Sequence, residues 1–138
     1  MHLTGMRSTN GLSANQFYNK CLQNKLSSVD FEFATDGTPH LKWSVLSELI
    51  CKNMKAAMIG DYDSQNPNLN TEKLAGNIRA CLGFVQDRRT YEYIPNAVLR
   101  EDIRDLTRKR RAQVIAICRK NQKERMYVEV IYRTKMVD

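Results

Sequence analysis

The sequence has little of what most catalytic and metal sites are built from. It has only two histidines, His2 and His40, and its four cysteines form no C-x-x-C pair. Zinc sites usually contain such local pairs, and nucleophilic serine or cysteine catalysis needs a histidine base. No phosphate-binding or dinucleotide-binding glycine motif is present. We therefore expect a protein that is not an enzyme, with no metal, no cofactor and four buried free thiols.

Long hydrophobic runs are also missing. No apolar stretch approaches the roughly 20 residues that a membrane-spanning helix requires. The first residues, MHLTGMRSTNG, lack the basic stretch, apolar core and cleavage site of a signal peptide. We expect no membrane partner and a cytoplasmic location, or a nuclear one if the host cell is eukaryotic.

The positive charge of the chain is concentrated near its C-terminus. The formal net charge is +7. Residues 1–99 carry ten Lys/Arg against nine Asp/Glu, whereas residues 100–135 carry twelve against five. A concentrated excess of this kind produces a local field that attracts phosphates, which favours nucleic acid as the partner.

The first half of the chain contains one clear helix start. Ser13 and Gln16 have the spacing of a capping box, and the apolar spacing after them predicts a helix to about Leu26. Alternating apolar residues predict a β-hairpin over 29–43, which turns at 36–38. Ser44 then predicts a helix to about Ile59, and the turn-rich residues 60–70 predict a loop.

The second half is predicted to contain two helices and a hairpin. Leu74, Ile78 and Leu82 recur at helical spacing and predict a helix over 71–83. Pro95 predicts the start of a helix over 96–109, in which four arginines would share one face. Arg110 would lie in the apolar stripe of that helix, so we expect the helix to end near Lys109. A hairpin over 112–134 follows, with Arg119 opposite Glu124; the alternative continues the helix through VIAIC.

The stretch around Ser13 resembles the turn and second helix of helix-turn-helix proteins. Gly11, Leu12, Ser13 and Phe17 stand at the positions where that motif has a glycine, an aliphatic residue, a serine and an apolar helix residue. With the hairpin as a wing, residues 6–45 resemble a winged-helix domain, and residues 71–134 resemble a second unit. The resemblance implies that four residues face the DNA groove: Asn15, Gln16, Asn19 and Lys20. The alternative is a well-capped helix of an ordinary α+β domain.

The fold class expected from these elements is α+β. We predict a small helical protein with two β-hairpins, winged-helix-like, divided into 1–60, a linker at 61–70, and 71–138. Cationic residues of the last third form the predicted nucleic-acid-binding surface. They are Arg100, Arg104, Arg108, Lys109, Arg111, Arg119, Lys120, Lys123 and Arg125. Nearby tyrosines, among them Tyr127 and Tyr132, would stack on unpaired bases.

The function predicted from this surface is a DNA-binding regulator of transcription or a replication accessory protein, with RNA as the alternative ligand. A homodimer and an acidic protein partner are further expectations, and an adaptor or inhibitor that docks on such a partner is the second hypothesis. A third hypothesis is a metal-dependent nuclease that uses Asp61, Asp63, Glu92 and a nearby lysine. The spacing around Asp61 does not fit a calcium loop.

Overall fold

The computed structural model of the protein describes residues 5–35, 38–51, 56–63, 69–121 and 123–135, without the side chains of Thr38 and Cys51. The chain divides into two compact units, Met1–Ser44 and Val45–Asp138. Among the described residues, no helix has both the length and the hydropathy needed to cross a membrane. The predicted division at 61–70 stays a prediction, because residues 64–68 lie outside the described residues.

The first unit contains two short strands, β1 (Met6–Ser8) and β2 (Phe31–Phe33), and the helix α1 (Ala14–Leu22) between them. The predicted capping box is confirmed: the Ser13 hydroxyl accepts from the Gln16 amide, and the Gln16 side chain accepts from the Ser13 amide. The helix buries Phe17, whose ring packs edge-on against Phe31 at 6.3 Å between centroids.

The predicted wing over 29–43 is wrong. Strand β2 pairs with β1 in antiparallel register, Met6 opposite Phe33 and Ser8 opposite Phe31. The segment expected to be its second strand is the helix α2 (Thr38–Leu46). Pro39 lies in the first turn of α2, where its missing amide hydrogen costs no hydrogen bond and its fixed φ suits a helix. The predicted turn residues Asp36 and Gly37 lie outside the described residues.

A buried carboxylate stabilises the first unit. Asp30 accepts hydrogen bonds from the Lys20 ammonium at 2.7 Å and from the amide and hydroxyl of Ser27, both at 2.9 Å. These donors, led by Lys20, lower the pKa of Asp30 to about 2. Lys20, one of the residues predicted to face a DNA groove, thus forms an ion pair within its own unit.

The second unit is built mainly from strands. A π-helical turn (Ser47–Cys51) follows α2 where a helix to Ile59 was predicted, and strand β3 (Met58–Asp61) follows the undescribed residues 52–55. Next come β4 (Lys73–Gly76), β5 (Cys81–Gln86), β6 (Tyr93–Leu99), the short helix α3 (Ile103–Leu106) and β7 (Arg111–Gln113). These five strands form an antiparallel sheet in the order β6-β5-β4-β3-β7.

The predicted helix over 71–83 is wrong, because its apolar spacing arises from two paired strands. Leu74 lies opposite Gly83, and Leu82 lies opposite Ala75. Leu74 and Leu82 therefore point to opposite faces of the sheet, and both are buried. Ile78, the third member of the apparent helical stripe, lies in the tight turn between β4 and β5 and is 59% exposed.

The predicted helix over 96–109 is also wrong. Pro95 lies inside β6, an edge strand, opposite Phe84 and next to a β-bulge at Gly83/Phe84. Edge strands and bulges tolerate proline because no ladder hydrogen bond from its nitrogen is needed. Only α3 is helical in this region. It begins after Asp102, whose carboxylate accepts from the Arg104 amide at 2.9 Å.

The core of the second unit lies between α3 and one face of the sheet. Leu74, Cys81 and Ile103 are fully buried, and Met58, Tyr62, Leu99 and Leu106 pack around them.

Burial raises the pKa of the Cys81 thiol to about 12. Cys81 is thus a buried free thiol as predicted, whereas Cys21 and Cys118 are exposed, and the Cys51 side chain is not described.

The last two strands, β8 (Ala116–Arg119) and β9 (Glu129–Arg133), form the predicted C-terminal hairpin in a different register. Arg119 lies opposite Glu129 instead of Glu124, and a bulge separates Ile117 from Cys118.

Taken together, these elements contradict the predicted fold class. The second unit is a five-stranded antiparallel sheet with one short helix against it, and β1 and β2 of the first unit form a two-stranded sheet. The protein is mostly β and is not a small helical winged-helix protein.

Candidate active site

A row of charged side chains crosses three neighbouring strands of the five-stranded sheet. Asp61 on β3 lies directly opposite Lys73 on β4. Arg110 precedes β7, and continuation of the β3–β7 register places it opposite Asp61, whose amide donates to the Arg110 carbonyl at 3.1 Å. We refer to Arg110, Asp61 and Lys73 as the charged row. It lies on the face of the sheet opposite the one that packs on α3.

Gly60 explains why β7 comes so close to β3. A Cβ atom at Gly60 would lie 2.6 Å from the Arg110 carbonyl oxygen and 2.8 Å from the Thr107 Cβ. Only glycine fits between β3 and the segment that follows α3. The absence of a side chain at this position thus allows Arg110 to lie beside Asp61.

Hydrogen bonding fixes the charge state of the row. The Lys73 ammonium donates to the Asp61 carboxylate. This bond is the main reason why the pKa of Asp61 is lowered and the pKa of Lys73 is raised, and Arg110 lowers the pKa of Asp61 further. Asp61 and Lys73 are therefore both ionised at neutral pH.

The charged row is accessible to a ligand. The side chains of Lys73 and Asp61 are 37% and 39% exposed. They line a cavity of about 310 Å³, within the size range of small-ligand sites. The remaining lining residues are Ile59, Gly60, Arg110, Arg111 and Ala112. The side chains of Lys73 and Arg110 outnumber the single carboxylate, so the cavity suits an anionic group such as a phosphodiester.

A second cavity in the same unit, of about 380 Å³, has the opposite character. Asp63, Glu101 and Asp105 line it, with Arg108 as its cation. The Asp63 carboxylate also forms an ion pair with the Lys109 ammonium at 3.4 Å. Excess negative charge disfavours phosphate here. Within the described part of the chain, no three His, Cys, Asp or Glu side chains come together as metal ligands.

The cations predicted on one helical face are distributed over a loop, the short helix and the start of β7. Arg104 forms an ion pair with Asp102 at 2.6 Å, and Arg111 donates to the Arg104 carbonyl at 3.3 Å. Arg100 is exposed beyond β6. Of the cations that were predicted to bind nucleic acid, Arg111 alone lines the cavity of the charged row.

The remaining predicted residues lie elsewhere. Arg119 pairs with Glu129 at 2.6 Å, Lys120 lies over the Tyr127 ring, and Lys123 and Arg125 are exposed in the connection of the hairpin. Four others lie on α1 in the first unit: Asn15, Gln16, Asn19 and Lys20. All of these stay predictions as nucleic-acid contacts.

Sequence reasoning missed two members of the charged row. Asp61 was a candidate carboxylate, but Asp63 lines the acidic cavity and not the cavity of the charged row. Lys73 fell within the predicted helix over 71–83, so it was not named as a site residue. The sequence did contain a signal for Arg110, because this charged residue falls in the apolar stripe of the predicted helix over 96–109. The structure does not contain that helix.

A family model matches residues 1–135, which is nearly the whole chain. Its description is PBECR4, phage-Barnase-EndoU-ColicinE5/D-RelE like nuclease4. No curated protein matches the sequence, and no solved structure matches it.

This match corrects the functional expectations. The winged-helix resemblance, the DNA-binding regulator of transcription or replication, and the expectation that the chain is not an enzyme are all wrong. The resemblance failed because a helix capped by serine is common to many folds. The nuclease hypothesis is the better supported one, and it makes nucleic acid the substrate. The chain belongs to the phage Barnase-EndoU-ColicinE5/D-RelE-like nuclease family 4.

Proposed function

We propose that the protein cleaves RNA at the charged row. The observation that carries the proposal is the accessible Asp61–Lys73 pair beside Arg110 in a cavity with an excess of positive charge. It combines a proton acceptor with two cations, and these are groups that phosphodiester cleavage requires.

RNA is favoured over DNA because RNA carries its own nucleophile. The 2′-hydroxyl lies next to the phosphodiester, so a site that binds phosphate and accepts one proton is sufficient for strand cleavage. Hydrolysis of DNA needs an activated water instead. The cavity of the charged row supplies cations and a single carboxylate, which matches the requirement of RNA.

The proposed reaction assigns a role to each member of the row. Asp61 accepts the proton of the 2′-hydroxyl as its oxygen attacks phosphorus. Lys73 and Arg110 stabilise the negative charge that develops on the phosphoryl oxygens. The bond from phosphorus to the 5′-oxygen breaks, that oxygen takes a proton from water, and Asp61 releases the proton that it accepted to water, which restores the carboxylate. The products are a 2′,3′-cyclic phosphate and a 5′-hydroxyl.

The lowered pKa of Asp61 has two opposing effects. It weakens the carboxylate as a base, because a group of lower pKa holds a proton less tightly. It also keeps the carboxylate ionised at every pH near neutrality. The bond from Lys73 orients the carboxylate, so the pair combines positioning with proton transfer.

Cleavage of matched RNA and DNA strands by the purified full chain tests the proposal. The variants are Lys73→Met and Arg110→Met, with Lys25→Met as control, because Lys25 is an exposed lysine of the first unit. We expect RNA cleavage by wild type and Lys25→Met, and a loss of about 10²–10³ in rate for the other two. Equal cleavage of both strands, or full activity of Lys73→Met, would overturn it.

A further inference from the structure

The C-terminal hairpin exposes more apolar and aromatic surface than a solvated hairpin needs. Tyr127 is 62% exposed and Tyr132 is 40% exposed. Met126, Val128 and Val130 are exposed beside them. Large apolar side chains gathered on one hairpin mark a surface that binds something.

The charge of the hairpin indicates what kind of partner binds. Residues 116–135 contain six Lys/Arg and two Asp/Glu. One of the two acidic residues, Glu129, is already paired with Arg119 through two hydrogen bonds of 2.6 and 2.8 Å. The remaining excess is positive, so a second copy of this chain would meet like charge on this surface. A polyanion is complementary to it.

The arrangement of cations and rings narrows the class of polyanion. Lys120 places its ammonium 4.9 Å from the centre of the Tyr127 ring, so a cation and an aromatic face are presented together. Tyrosine rings stack on bases only where the bases are unpaired, because paired bases are stacked on one another. Cations beside exposed rings are the combination that single-stranded nucleic acid binds.

We infer that the β8–β9 hairpin is a docking arm for an unpaired segment of the nucleic-acid substrate. Bases stack on Tyr127 and Tyr132, while Lys120, Lys123 and Arg125 contact the phosphates. The inference rests on the proposed nuclease function for the identity of the strand. It assigns binding to the hairpin and leaves bond cleavage to the charged row.

Binding of a strand that cannot be cleaved separates this inference from the proposed chemistry. The probe is a fluorescent single-stranded RNA of about 12 nucleotides with 2′-methoxy groups throughout, titrated with the full chain. Tyr127→Ala and Tyr132→Ala are compared with Tyr18→Ala, an exposed tyrosine of α1 in the first unit. Loss of one stacked base weakens binding by about 5- to 150-fold. We expect that loss for each hairpin variant, wild-type affinity for Tyr18→Ala, and weaker binding of a duplex of equal length.

Three results would overturn the inference. The first is wild-type affinity in both hairpin variants. The second is a duplex that binds as tightly as the single strand, which would leave charge alone as the cause. The third is displacement of the RNA strand by polyglutamate at equal charge concentration. Such displacement would indicate an acidic protein as the partner. Since the probe has no free 2′-hydroxyl, failure of RNA cleavage leaves this measurement intact.

Discussion

Removal of Asp61 and Lys73, singly and together, shows whether the two residues act as one unit. Each is the other's principal hydrogen-bond partner in the charged row. In Asp61→Asn the Lys73 ammonium loses the carboxylate that orients it. In Lys73→Met the Asp61 carboxylate loses its hydrogen-bond donor. Each substitution therefore disables the pair and not just one group.

The expected magnitudes follow from this geometry. Loss of one preorganised electrostatic group lowers the rate by about 10²–10³. Independent contributions would multiply to about 10⁴–10⁶ in the double variant, whereas residues that act as a unit are strongly non-additive. We expect the double variant to retain the rate of the slower single variant within about tenfold.

The assay is single-turnover cleavage of an end-labelled RNA with enzyme in excess, so that product release does not limit the rate. Circular dichroism and thermal unfolding verify that each variant is folded, and exposed ion pairs of this kind contribute little to stability. Full multiplication of the two single losses would refute the reasoning, since it would show that Asp61 and Lys73 act separately.

The remaining predictions concern pH, the core and the close approach at Gly60. The pKa of Asp61 is lowered from 3.8 and that of Lys73 is raised from 10.5, so both charges persist between those values. We expect cleavage rates to stay level between about pH 5 and 9 and to fall as pH drops below the ordinary aspartate range; a half-maximal rate near pH 7 would contradict this. Ile103→Ala should lower the free energy of unfolding by about 2–5 kcal/mol in a urea titration, because the side chain is fully buried, whereas Ile78→Ala in the exposed turn should change it by less than about 0.5. Gly60→Ala should cost about 1–3 kcal/mol and reduce cleavage, since the new Cβ displaces the segment carrying Arg110; unchanged stability and activity would contradict the proposed packing.

Three local signals in the sequence were read correctly. The capping box at Ser13 depends on hydrogen bonds within one turn, and the structure shows both of them. The alternation of Phe31 and Phe33 predicted a strand, and the C-terminal alternation predicted a hairpin. These features depend on neighbours in sequence, so sequence alone was sufficient for them.

Features that depend on distant pairing were misread. Leu74 and Leu82 are eight residues apart, a spacing that fits both a helix and two strands joined by a short turn. Pro95 is typical of a helix start, yet an edge strand with a bulge accommodates it equally well. Pairing across the sheet decides between the alternatives, because β5 pairs with β4 on one side and with β6 on the other.

The candidate site was missed for the same reason, because it also depends on the pairing of strands that are distant in sequence. Asp61, Lys73 and Arg110 are brought together only by the pairing of three strands, and no short motif joins them. The excess of arginine drew attention to the last third of the chain, although two of the three members of the charged row precede it. Bulk charge correctly indicated nucleic acid but did not locate the chemistry.

The most direct test of the account uses a single 2′-deoxy substitution. A short RNA is cleaved by the wild-type protein, the preferred bond is mapped, and the strand is remade with deoxyribose at the nucleotide 5′ to that bond. If the charged row activates the 2′-hydroxyl, that bond resists cleavage while the all-RNA strand yields a 2′,3′-cyclic phosphate. Continued cleavage at the modified position, with the same rate as the unmodified strand, would contradict the account.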